Sequence, residues 1–211
     1  MGANDGIVSV ASIVVGVAGA SNSASFILTA GVAGLVAGAL SMGVGEYISV
    51  STQRDTEKAL IEKEKGELAG VPKQEFEELV GLYKKKGLSD VTARKVAEEL
   101  TAHDVFAAHL EAELGIDPKN LTNPWSAAFA STASFCCGAI IPIIMVIVSP
   151  GAFRIPITFF AVLIALIITG TLSAYAGGAN KTKATIRVVI GGMLAMAVTF
   201  GIGKLFGIAG I

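Results

Sequence analysis

The chain has 211 residues, 53% of them apolar, with a mean hydropathy of +0.68 and a formal net charge of −1. Residues 51–124 hold 11 of the 16 Lys and Arg, 15 of the 17 Asp and Glu and both His, a net −4; the rest is net +3, and its only acids are Asp5 and Glu46. A soluble globular chain spreads charge over its whole surface, so confinement to one block excludes that class, and no nucleic-acid partner is expected.

Residues 6–45, 120–153, 155–180 and 188–203 carry no charged side chain, and a spanning helix needs roughly 20 mostly apolar residues. The polar turn Ser21-Asn22-Ser23 divides the first run. Spans are therefore expected near 1–20, 25–50, 125–148, 154–176 and 185–208. No basic segment precedes the first run, so a cleavable signal peptide is not expected. Small residues four apart, such as Gly34 with Gly38, Ala39 with Gly43 and Gly191 with Ala195, permit close helix approach in lipid. Most of these are expected to pack within the subunit; Gly34 and Gly38 also suggest a homodimer seam between first and second spans. Cys136 and Cys137 read as packing residues.

The second span runs on into Gln53–Leu68, where Glu and Lys alternate as on a solvated helix. Gly70-Val71-Pro72 ends it. A helix is expected over about 73–86, closed by Gly87, and another over about 90–114, with Ser89 as N-cap and Gly115 as stop. Asp117-Pro118, Asn120 and Asn123-Pro124 read as a loop, and Trp125 as the interfacial entry of the third span. The sequence thus divides into 1–50 (first two spans), 51–124 (polar helical insert) and 125–211 (last three spans). Lys181, Lys183 and Arg187 share a side with the insert, leaving only Arg154 and Lys204 opposite. By charge bias the insert and N-terminus are cytosolic and the C-terminus is outside.

Two carboxylate pairs lie three residues apart, Glu64 with Glu67 and Glu75 with Glu78, each on one helical face. The turn at 70–72 can fold the two faces together, where four carboxylates repel unless cations sit among them. Glu113 on the third helix is a fifth. Oxygen clusters of this kind suit divalent ions, including manganese and iron. His103 and His109 read first as surface or interface residues. The Glu-x-x-His step of di-iron proteins is absent, which weighs against a membrane oxidase. Intramembrane acids are costly and usually functional, which singles out Asp5 and Glu46; Met42, one turn before Glu46, offers a soft thioether.

Gly2-Ala3-Asn4-Asp5-Gly6-Ile7-Val8-Ser9 and Ser41-Met42-Gly43-Val44-Gly45-Glu46-Tyr47-Ile48-Ser49-Val50 resemble the first two spans of the vacuolar iron transporter family. Ala176-Gly177-Gly178-Ala179 and Arg187 through Gly192 resemble its last span pair. The resemblance implies an all-α membrane protein, a dimer of five-span subunits with a cytosolic three-helix metal-binding domain. It implies export of Fe²⁺ or Mn²⁺ from the cytosol in exchange for protons, with no catalytic cofactor and no enzymatic reaction. By motif position it implies metal binding at Glu64, Glu67, Glu75, Glu78 and Glu113, and a transport path through Asp5 and Met42; Glu46 joins that path as the second span's only acid. Plant members look to carry a Met pair where this chain has His109 and Leu110, so His109 is a further candidate ligand and metal preference is open. Members usually begin further upstream of the Asn-Asp-Gly motif. A metal buffer or sensor without transport is the alternative function. With no sorting features, a bacterial-type plasma membrane is the expected location.

Overall fold

The structure is a computed structural model that describes residues 2–117 and 120–209. Met1 of the expected first span and Pro118 of the expected loop lie outside the described residues. The chain forms α1 (Gly2–Ala20), α2 (Ala24–Gly70), α3 (Pro72–Lys85), α4 (Asp90–His109) with a π-helical turn (Leu110–Leu114), α5 (Pro124–Val148), a 3-10 turn (Gly151–Phe153), α6 (Arg154–Ala176) and α7 (Lys181–Ala209). There is no strand among the described residues. Among the described residues, five helices are long and apolar enough to cross a membrane: α1, α2, α5, α6 with the turn before it, and α7. This is an all-helical integral membrane protein.

Two compact units emerge, residues 1–47 with 125–211, and residues 48–124. In the first, α1 is the central helix because both of its faces are apolar. Val10, Val14 and Ala18 pack with Ile27, Ala39, Phe135, Ala139 and Val146. Ile7, Ala11 and Val15 pack with Val162, Ala165, Leu166 and Met196. Each set advances by three or four residues, the spacing of one helical face.

Glycines let the neighbouring backbones approach α1. A Cβ on Gly6 would strike the Phe135 carbonyl oxygen, one on Gly138 the Ala3 carbonyl oxygen, and one on Gly203 the Gly16 carbonyl oxygen. Gly34 and Gly38, read from sequence as a dimer seam, are occupied within the chain, facing the Ile13 side chain and the Phe135 ring. Their spacing was a sound packing signal, but the partner is internal. The exposed row on α2 is instead Val32, Val36, Leu40 and Val44. At one end Tyr47 and Trp125 pack ring on ring, centroids 4.7 Å apart, as expected of interfacial aromatics.

The second unit begins within α2, which runs unbroken to Gly70. Pro72 starts α3 at the first helical position, where its missing N–H costs nothing. Ser89 caps α4, its Oγ accepting from the Thr92 N–H at 3.3 Å. Leu79 and Val80 of α3 pack on Ala93, Ala97 and Ala108, and Arg94 holds Glu77 through two parallel bonds of 2.8 Å. The single helix expected over 90–114 is interrupted. Asp104 leaves helical geometry at φ −161°, ψ 95°, and its carboxylate accepts from the Ala107 N–H at 3.0 Å. A short acidic side chain that bonds the backbone ahead of it restarts the helix as an N-cap would. The last five residues widen into a π turn that ends at Gly115, left-handed at φ 64°. The fifth span also starts earlier than expected, at Lys181, because Asn180 Oδ1 accepts from the Lys183 N–H at 3.0 Å.

Valine at Gly138 or Gly203 is expected to lower the melting temperature of the detergent-solubilised protein markedly, since backbone must move; overpacking costs roughly 1–3 kcal/mol or more. Valine at Gly201, whose Cβ would meet open space, should leave it unchanged. Thermal unfolding followed by size-exclusion chromatography reads the difference.

Candidate metal centre

Three elements of the second unit bring one polar cluster into an otherwise apolar interior. The late part of α2 supplies Glu64, the first turn of α3 supplies Glu75, and the end of α4 supplies His109. Glu64 is 2% exposed, Glu75 6% and His109 0%. One ligand atom from each lies within 4.8 Å of the others. His109 Nδ1 is 3.0 Å from Glu64 Oε1 and 3.8 Å from Glu75 Oε2. Yet neither ring nitrogen of His109, nor Glu64 Oε1, has a hydrogen-bond partner among the described residues. The close pair is near without being aligned as N–H to oxygen.

The other three glutamates surround this triad. Glu113 is close enough for its charge to raise Glu64. Glu67 is half-buried and pairs with Lys63 at 2.9 Å; its charge is felt at both Glu64 and Glu75. Glu78 is exposed and acts on Glu75. Of the sequence candidates, then, Glu64, Glu75 and His109 form the buried centre, and Glu67, Glu78 and Glu113 form an acidic border. Spacing identified the faces but not which member of each pair turns inward. His103 is exposed, as its surface reading expected. His109 is fully buried, which departs from the surface half of its first reading as a surface or interface residue and keeps it a candidate ligand: the Asp104 break and the π turn, neither visible as periodicity, turn it inward.

Burial drives Glu64 up to about 7, helped by the charges of Glu113, Glu75 and Glu67. Glu75 is also raised, first by burial and then by Glu78, with His109 acting against. Desolvation and like charge both favour the protonated acid. An acid with a raised folded pKa weakens the fold as pH climbs past its unfolded value near 4.5 toward 7. At pH 8 the ionised Glu64 therefore costs about 3 kcal/mol, by the worth of one pKa unit. Two buried carboxylates and one imidazole supply the donor set of a borderline or hard divalent ion, whose charge would offset that cost.

The transport-path candidates all lie in the first unit. Asp5 sits in the first turn of α1 and is exposed, Glu46 is exposed on α2, and Met42 is half-buried against the α1–α2–α5 core. Neither acid has an ion-pair partner among the described residues.

A five-helix membrane unit joined to a helical unit with a buried carboxylate–imidazole cluster is the build of a membrane metal-handling protein. The family profile described as the VIT family matches residues 1–204. Over 97% of its length the chain is 44% identical to a vacuolar iron transporter of Acanthamoeba castellanii, covering 76% of that protein. It is 36% identical over 100% of its length to vacuolar iron transporter homolog 1 of rice, covering 73%, and 35% identical over 99% to vacuolar iron transporter homolog 2.1 of Arabidopsis thaliana, covering 80%. The chain belongs to the VIT family.

In metal-free protein, Glu64→Gln is expected to slow amide hydrogen exchange in 60–115 at pH 8, with the gain shrinking toward pH 5. An excess of divalent ion should reverse the order, protecting wild type but not the variant. Equal exchange in the two proteins at pH 8 would contradict the cost assigned to the ionised carboxylate.

Proposed function

We propose that this protein exports Fe²⁺ or Mn²⁺ from the cytosol in exchange for protons. The observation that carries the reading is the buried Glu64–Glu75–His109 cluster in a chain whose relatives are named iron transporters. Ligands held about 2.1 Å from an octahedral ion and at right angles to each other are about 3.0 Å apart. The 3.0 Å between His109 Nδ1 and Glu64 Oε1, without hydrogen-bond alignment, suits two donors aimed at a shared ion. On this reading the cluster captures the ion, and Glu67, Glu78 and Glu113 raise its local concentration. The Lys and Arg bias supports a cytosolic side for residues 51–124.

Asp5, Met42 and Glu46 then form the path across the membrane. A desolvating divalent ion needs negative charge beside it, and Asp5 and Glu46 are the only acids of the membrane unit. Protonation of Asp5 from the far side releases the ion, and supplies the coupling. The working form is a homodimer, supported by the exposed row Val32, Val36, Leu40 and Val44. Lipid covers the remaining exposed apolar faces. No reaction on a substrate is involved. The expected bacterial-type plasma membrane finds no support in relatives that are named vacuolar.

Reconstituted into proteoliposomes, the protein should move Fe²⁺ or Mn²⁺ along with an opposing proton flux. Asp5→Asn should abolish the flux and leave ion binding nearly intact. Asn is a good helix N-cap, so a merely capping role for Asp5 predicts normal flux in that variant. Binding without flux in the wild type would support a buffer or sensor instead.

A further inference from the structure

The cluster differs from a plain carboxylate site in having an imidazole at its centre. His109 has no exposed surface, and it follows Ala108 and precedes Leu110, both also buried. Nδ1 is the nitrogen facing Glu64 and Glu75. His109 also lines a cavity of about 250 Å³ with Thr101, Phe76 and Val105, and its Nε2 and the Thr101 Oγ1 are both buried without a hydrogen-bond partner. A neutral imidazole carries one proton and one lone pair. With the proton on Nε2, in a cavity roomy enough for water, the lone pair of Nδ1 points among the carboxylates.

Nitrogen and oxygen donors sort ions differently. Mg²⁺ and Ca²⁺ are hard ions that take oxygen, and Mg²⁺ sheds water reluctantly. Imidazole suits iron, nickel, copper and zinc, and in the general affinity order Mn²⁺ stands lowest of the first-row divalent ions. We propose that His109 is the specificity-determining ligand of this centre, its Nδ1 favouring Fe²⁺ and Zn²⁺ over Mn²⁺ and excluding Mg²⁺ and Ca²⁺. The proposal rests on reading Glu64, Glu75 and His109 as an ion site, and adds which ions that site accepts.

The chain has two His, and His103 is exposed. In the whole untagged His103→Gln protein in detergent, every imidazole signal therefore belongs to His109. Pulsed electron paramagnetic resonance of bound Mn²⁺ should show nitrogen coupling from one imidazole. In competition, about one equivalent of Zn²⁺ should displace this Mn²⁺, and Mg²⁺ should fail to displace it at roughly a thousandfold excess, on the order of magnitude that ligand type imposes. His109→Gln should lose the nitrogen coupling, lose about tenfold or more of the Zn²⁺-over-Mn²⁺ preference, and admit Mg²⁺. Bound Mn²⁺ without nitrogen coupling in His103→Gln, a measurement that leaves the buried site unaltered, overturns the proposal while sparing the ion site. So does an unchanged preference in folded His109→Gln. No bound ion in any of these proteins would overturn the ion site itself, and the proposal with it.

Discussion

The second unit is organised around the cost of burying two carboxylates beside an imidazole. Removing an ionised carboxylate from water costs several kcal/mol even after relaxation. The nearby lysines do not relieve it, because Lys63 is turned to Glu67 and Lys65 to Glu62 at the surface. The metal-free protein meets the cost by holding Glu64 partly protonated near neutrality. Three local events close the cluster: the reversal at Val71 and Pro72 that begins α3, the break at Asp104, and the π turn after His109. Single π turns inside helices often occur at functional sites, and this one links His109 to Glu113.

The membrane unit was legible for a simple reason. Charge-free runs longer than a bilayer is thick leave few alternatives, and the expected spans begin within a few residues of α1, α2, α5, α6 and α7, α2 continuing past the second span to Gly70. The caps at Ser89 and Gly115 were legible because those residue types carry a backbone mechanism. The interruption at Asp104 was not. An Asp among helix formers usually just points into solvent, and only its bond to the Ala107 N–H reveals the break. That miss hid the burial of His109, because a continuous helix gives no cue for turning one particular residue inward. The glutamate pairs show the same limit: three-residue spacing puts Glu64 and Glu67 on one face, but Glu64 is buried and Glu67 is tied to Lys63.

Small residues in the spans carried two meanings that sequence alone does not separate. In lipid there is no hydrophobic drive between helices, so close backbone contact is what holds them. Gly6, Gly138 and Gly203 serve this use around α1. Gly34 and Gly38 have the same spacing as a dimer motif, and the same chain fills them. Gly191 meets open space. The pattern marks close approach but not whose side chain approaches.

The two sets of acids are built differently, and the difference bears on what each can do. Glu64 and Glu75 are buried, mutually repelling and close to a fixed nitrogen. On the proposed reading the site is preorganised: the groups are in place before an ion arrives, and its arrival relieves repulsion already present. Such a site gives affinity and discrimination at the expense of ready release. Asp5 and Glu46 are exposed in their helices and have no ion-pair partner among the described residues. An acid in a span is tolerated where it meets water, another protein surface or a passing ion. Weak, separated contacts suit conduction, which requires that binding never become too tight to leave. On the proposed reading, discrimination lies in the buried cluster and passage in the sparsely charged spans, so neither set of residues has to do both tasks.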